Sequence, residues 1–202
     1  WGDPQLQRTL QHGTILERVP MREYLKAIGK GADFDGQAEL FTLEGGVKGV
    51  FKPLAEEEIS PRSAWNEVGA YKLSQHLKFP YVPPTVIREV QGSSGHRQMG
   101  SLQLFVETPL DLLNEAVFHE TLRQVLGNDS EQLAALKLFY FVIGQWDTGP
   151  HNLLAYPYQG RLYLVAIDHE CVLHPQHVRY GEIPFMKRAS SETLPQDPRE
   201  PD

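Results

Sequence analysis

The stretch Gln145–Asp168, Q-W-D-T-G-P-H-N-L-L-A-Y-P-Y-Q-G-R-L-Y-L-V-A-I-D, decides how this chain is read. An apolar, helix-like run stops at Asp147. The chain then turns through Gly149 and Pro150 to Asn152, and a predicted hairpin around Pro157-Tyr158-Gln159-Gly160 carries it to Asp168. An acid, an amide five residues later and a second acid after a strand are hard oxygen donors of the kind that hold a divalent cation against a polyphosphate. The rest of the chain reads as the other half of such a site.

Upstream, Ala38 to Leu43 and Val47 to Phe51 read as strands joined by a Glu44-Gly45-Gly46 turn, the second ending in Lys52-Pro53. Ser60-Pro61 is a helix-start pair, serine as the cap and proline in the first turn, for a helix to about Leu77. Pro80, Pro83 and Pro84 make a stiff connector, followed by strands over Thr85 to Val90 and Ser101 to Val106. Beyond Glu107 the pattern becomes helical: Pro109 to Val125, then Ser130 to Trp146. The second run is apolar on nearly all sides and reads as a buried helix.

The expected divisions are an N-terminal arm or helix over 1–28, a β-rich lobe with one helix over 29–107, a mainly helical lobe over 108–189, and a Pro-, Glu- and Asp-rich disordered tail over 190–202. At 202 residues there is enough chain for one sizeable domain or two small lobes. A net charge of −7 leaves no basic footprint for nucleic acid. No apolar run approaches the roughly 20 residues of a membrane helix, and the N-terminus has no signal-peptide pattern. Cys171 is the single cysteine, so no internal disulfide forms and reducing surroundings are permitted; the expectation is a cytoplasmic setting, with a secreted effector as the alternative.

The chemistry converges on five positions. Phosphoryl transfer needs a cation on the phosphates, oxygen ligands for Mg²⁺ and a group that orients the acceptor hydroxyl. Lys52 supplies the cation, and Glu67 on the following helix is placed to hold it. Asn152 and Asp168 supply metal ligands, and Asp147 orients the acceptor or takes its proton. Taken singly, each has a plainer reading: a solvated lysine, a solvent-facing glutamate, an aspartate that turns a loop or ends a strand.

Three stretches carry a resemblance: Gly49 to Leu54 (G-V-F-K-P-L), Asn66 to Val86 (N-E-V-G-A-Y-K-L-S-Q-H-L-K-F-P-Y-V-P-P-T-V) and Ala166 to His174 (A-I-D-H-E-C-V-L-H). Together with the Asp147 loop they resemble the atypical side of the kinase-like superfamily, the bacterial phosphatidylinositol 3-/4-kinase-like proteins and the FAM20 secretory kinases. The resemblance implies an α+β, two-lobed protein-kinase-like fold with a reduced helical C-lobe. It implies ATP with Mg²⁺ or Mn²⁺, adenine against Phe105, Val106 and Glu107, and a glycine-rich segment with Gly29, Lys30 and Gly31 over the phosphates. The expected activity is phosphorylation of protein Ser/Thr hydroxyls. The alternatives are a phosphatidylinositol or small-molecule kinase, and a nucleotide-binding pseudokinase scaffold.

The chain departs from these families in D-T-G-P-H-N at the catalytic loop, and in His169-Glu170 where Phe-Gly would follow the metal-binding aspartate. Little chain follows Asp168, so the expectation is a minimal C-lobe or one that a partner completes. A separate reading gives His169, Cys171, His174 and His177 to a zinc ion.

Overall fold

The computed structural model describes residues 2–30, 37–54, 62–92, 95–128, 130–145 and 147–172. The helix-start pair Ser60-Pro61, the tail over 190–202, and Gly31, His174 and His177 lie outside them.

The first half builds a five-stranded antiparallel sheet from β1 (Ile15–Pro20), β2 (Glu39–Leu43), β3 (Lys48–Pro53), β4 (Thr85–Gln91) and β5 (Arg97–Leu104), in the order β1-β2-β3-β5-β4. Gly45 and Gly46, with φ of 73° and 75°, make the turn between β2 and β3; side-chain-bearing residues rarely adopt that backbone. Helix α1 (Pro4–His12), capped by Asp3 onto the Gln5 amide at 2.8 Å, lays Leu10 into the sheet core of Phe41, Leu43, Phe51, Val86, Val90 and Leu102. The buried Arg88 guanidinium donates to the carbonyl oxygens of Leu10 and Gly13 at the end of α1, so its charge is not left unsolvated.

Helix α2 (Met21–Ala27) follows β1, and α3 (Arg62–His76) follows β3. Ala70 and Tyr71 of α3 join a second core built by α4 (Glu115–Asn128), α5 (Ser130–Ile143) and the hairpin of β6 (Leu153–Tyr158) and β7 (Arg161–Ala166). Helix α3 therefore shares the core of the second lobe while carrying Glu67 toward the sheet. The α+β architecture expected from the sequence, an antiparallel β-rich half followed by a mainly helical half, is the one observed.

Four local readings change. β1 forms inside the stretch expected as an N-terminal arm or helix, because an edge strand with solvent on several positions has no strict alternation to read. β5 starts at Arg97 rather than Ser101 and stops before Val106, since main-chain pairing of Gln91 with Arg97 extends the hairpin regardless of side-chain polarity. α4 begins at Glu115 rather than Pro109. Asn114 Oδ1 accepts from the Val117 amide at 3.2 Å and caps the helix there, while Thr108 and Asp111 side chains hold the preceding turns. Finally, α5 is not buried all round: Leu133, Leu136, Phe139, Tyr140 and Ile143 face the core, whereas Leu138, Phe141 and Val142 face outward.

Candidate active site

Lys52 lies on β3 opposite Ser101 of β5. Strand alternation sends Phe51 into the sheet core and Lys52 to the opposite face. The neighbouring strand can approach because residue 100 is glycine: a Cβ there would run into the Lys52 carbonyl oxygen and the Phe51 ring. Lys52 Nζ donates to Glu67 Oε1 at 2.7 Å and to Asp168 Oδ1 at 2.7 Å. Burial works against the ammonium, but the two carboxylates outweigh it and raise its pKa. Glu67 is 2% exposed. Burial alone would raise its pKa; Lys52 and then the His169 ring reverse that and bring it to about 2.

The second acid is fixed from behind. Gln145, fully buried, donates one amide nitrogen to the carbonyl oxygen of Asp147 at 2.8 Å and to that of Asp168 at 3.0 Å. Asn152 is also buried and donates its Nδ2 to the Asp147 carbonyl at 3.0 Å, and its own carbonyl accepts from the Ile167 amide at 3.0 Å. One 3-10 turn over Pro150–Asn152 makes the bend that brings Asn152 back to Asp147. Asp168 has a φ of 61°, a left-handed backbone that aspartate tolerates better than most residues and that often marks functional positions. His151 Nε2 lies 3.3 Å from the Asp147 carboxylate, its ring folded over Gly149, where a Cβ would displace it.

Asp147, Asn152 and Asp168 are therefore brought together through shared hydrogen bonds, and Lys52 and Glu67 join them through Asp168. A small cleft of about 170 Å³ opens beside them, lined by Gln37, Lys52, Ser63, Glu67, Ser101 and Glu170. Among the described residues, the other expected positions are held by contacts of their own. Gly29, with φ 72°, and Lys30 close the last turn of α2, their amides bonded to Lys26 and Leu25. Phe105 continues the β5 ladder through Lys48 and stacks edge-on against Tyr24 at 5.5 Å. Half-buried Val106 and exposed Glu107 follow it into the interlobe connector, which Thr108 fastens to the Ala155 carbonyl.

Two residues of the site, Gln145 and Asn66, escaped the sequence reading as site residues, and His169 was read there only as a zinc ligand and a departure from Phe-Gly. Gln145 holds both acids by their backbones. Asn66 donates to the Glu170 carbonyl at 2.7 Å and the Val172 carbonyl at 3.2 Å. His169 is fully buried, its Nδ1 3.8 Å from Glu67 Oε2 and its ring beside Phe139 and Tyr140. Nothing in local composition distinguishes these three; the only available signal was their adjacency to Asp147, Glu67 and Asp168.

The donor set suits a hard cation. Asp168 offers a carboxylate, and the Asn152 amide nitrogen is already committed to Asp147, which leaves Oδ1 as its ligand atom. One carboxylate and one amide are few protein ligands, which is the pattern for Mg²⁺ completed by phosphate oxygens. Among the described residues no group of three or more His, Cys, Asp or Glu is arranged to hold a metal on its own. For the zinc reading, burial and the acids Glu170, Asp147 and Asp168 push the Cys171 thiol up to about 11, away from the thiolate such a site uses.

No family model and no curated protein matches the chain. Solved structures do. A crystal structure of the Golgi casein kinase aligns with a TM-score of 0.53 at 14% identity over 85% of this chain and 58% of that one. The same kinase with Mn/ADP bound aligns with a TM-score of 0.54 at 13% identity over 85% and 58%. The hydra Fam20 structure with sugar aligns with a TM-score of 0.53 at 14% identity, over 83% of this chain and 65% of that one. The chain thus spans less than two thirds of the length of each. No helix among the described residues is long and apolar enough to cross a membrane. At such identities the likeness establishes the fold, and the fold is kinase-like.

Proposed function

We propose that this chain is an ATP-dependent phosphotransferase of the atypical kinase type, acting on Ser/Thr hydroxyls of a protein. The observation that carries the reading is Lys52 held at 2.7 Å by both Glu67 and Asp168, with Asp168 joined to Asp147 through Gln145. This gathers a phosphate-binding cation, a metal ligand and an acceptor-orienting carboxylate from three separate elements.

In this reading Lys52 turns from Asp168 to the α/β-phosphate oxygens while Glu67 keeps its ammonium oriented. Asp168 and Asn152 hold Mg²⁺ or Mn²⁺, which when bound neutralises charge on the phosphates. Asp147 orients the acceptor hydroxyl and takes its proton. The hydroxyl oxygen bonds to the γ-phosphorus as the bond to the β–γ bridging oxygen breaks, and ADP leaves. Phe105, Val106 and Glu107 are assigned to adenine, and the segment with Gly29, Lys30 and Gly31 to the phosphate side. The likeness to a Golgi casein kinase, solved also with Mn/ADP bound, supports a protein acceptor and use of a nucleotide with a divalent cation. The acidic net charge runs against an anionic lipid headgroup. A cytoplasmic location stays part of the proposal on the strength of the lone cysteine.

Incubation with labelled ATP, Mg²⁺ or Mn²⁺, and a panel of proteins, phosphoinositides and sugars tests this reading. Label on protein Ser/Thr supports it. Label on lipid or sugar reassigns the acceptor, and nucleotide binding without transfer to any acceptor or water replaces the enzyme with a scaffold.

A further inference from the structure

Asn66 sits one residue before Glu67 on α3, past the positions where an asparagine side chain caps a helix. Its side chain reaches instead to a segment more than a hundred positions away. The Nδ2 group has two protons, and two carbonyl oxygens lie in range, those of Glu170 at 2.7 Å and Val172 at 3.2 Å. The turn that carries them has a long Val172-to-His169 bond of 3.4 Å.

We propose that Asn66 is a positioning residue for Asp168, setting the metal-binding carboxylate by anchoring the backbone just beyond it. The inference rests on the proposed role of Asp168 as a metal ligand. The segment from 168 to 172 is held on α3 at two ends: Asp168 through Lys52 to Glu67, and the backbone of 170 and 172 through Asn66. Asp168 has a left-handed backbone that an unrestrained chain disfavours. Once nucleotide draws Lys52 away from Asp168, that tether is lost, and Asn66, together with the His169 ring against Glu67, keeps α3 and the Asp168 segment in register. Neighbouring residues of one helix thus divide the work, Glu67 aligning the cation and Asn66 the metal ligand.

The test is Mn²⁺ titration by electron paramagnetic resonance in the presence of ADP, with thermal unfolding as the check on folding. The proteins are the unsubstituted chain, Asp168→Asn, Asn66→Ala, Asn66→Leu, which keeps the volume without donors, and Asn66→Gln, which keeps the donors. The expected result is Mn²⁺ affinity about tenfold weaker in Asn66→Ala and Asn66→Leu, the scale of one to two lost hydrogen bonds, with partial recovery in Asn66→Gln. In turnover, the loss should shrink at saturating metal while the KM for ATP stays put. If either donor-free variant folds and binds Mn²⁺ as tightly as the unsubstituted chain, Asn66 does not position Asp168. If Asp168→Asn binds Mn²⁺ like the unsubstituted chain, or neither binds it, the metal role of Asp168 fails and this inference falls with it.

Discussion

Lys52 Nζ stands 2.7 Å from Asp168 Oδ1, so the cation of one lobe and the acid of the other neutralise each other across the cleft. Both groups are about one third exposed, 32% and 35%, so the contact exchanges readily with a ligand. That arrangement makes Asp168 dispensable for the fold and indispensable for the proposed chemistry. Asp168→Ala should lower phosphotransfer by at least about 10²–10³-fold, the scale of one lost electrostatic stabiliser. Its melting temperature should fall only modestly, because Lys52 keeps Glu67 while alanine tolerates the left-handed backbone at 168 less well than aspartate. Full transfer in Asp168→Ala would remove the metal site from the proposal.

Asp147 makes a different prediction, because its carboxylate is half-buried and touches only His151 among the bonds described, while its backbone is what Gln145 and Asn152 hold. Asp147→Ala therefore leaves the loop tied. Transfer to a hydroxyl acceptor should fall by about 10²–10⁴-fold, the usual contribution of a positioned general base. ADP·Mn²⁺ affinity should not move. A variant that loses nucleotide as well as turnover would assign Asp147 to binding rather than to the acceptor.

The Lys52–Glu67 pair predicts a pH dependence of stability. The Glu67 pKa falls from 4.5 in the unfolded chain to about 2 in the fold. In the intervening window the unfolded state binds more protons, so stability rises with pH there. The contribution is complete above about pH 4.5 and is lost as pH falls through about 2. Urea unfolding of Glu67→Gln should start from a lower stability and decline less steeply over this window. At neutral pH, Lys52→Ala leaves Glu67 buried without its cation. Breaking such a pair costs about 3–5 kcal/mol when both partners are buried, and the exposed third of Lys52 puts this case at the low end. Parallel slopes in Glu67→Gln and the unsubstituted chain would contradict the pair's role.

What the sequence makes legible follows from how locally each feature is encoded. Lys52 could be found because a strand ending in Lys-Pro precedes a helix, and Asp147, Asn152 and Asp168 because turn residues and a hairpin separate them. The pairing of Lys52 with Asp168 spans 116 positions, and only the order of motifs hinted at it. Gln145 and Asn66 act through backbone carbonyls, which have no sequence identity, so no pattern of side chains marks them. The length of β5 depended on its partner strand, and which face of α5 is buried on its contacts with the rest of the second core; neither is a property of the segment itself. The resemblance implied Gly29 and Lys30 on the phosphate side; in the fold the left-handed Gly29 and the Lys30 amide also close the end of α2.

Gln145 gives the sharpest separation of fold from chemistry. Its Nε2 is shared between the carbonyls of Asp147 and Asp168, and its Oε1 is buried with no hydrogen-bond partner among the described residues. Gln145→Leu removes that unpaired oxygen, a gain, and strips the donor from two inward carbonyls, a loss of about 1–3 kcal/mol for each one left unpaired. The Asn152 amide still serves Asp147, so the exposed deficit falls chiefly on Asp168. The net expectation is a destabilisation of about 1–2 kcal/mol by urea unfolding. Turnover per folded molecule, counted by ADP·Mn²⁺ binding sites, should fall by tenfold or more because the two acids lose their common reference, about 1.4 kcal/mol of barrier for each factor of ten. Gln145→Glu, the same shape with an anionic oxygen against two carbonyls, should be worse in both respects. Should Gln145→Leu lose stability yet turn over normally per binding site, the shared amide holds the fold, and the spacing of Asp147 and Asp168 must be set by Asn152 and the Ile167 amide instead.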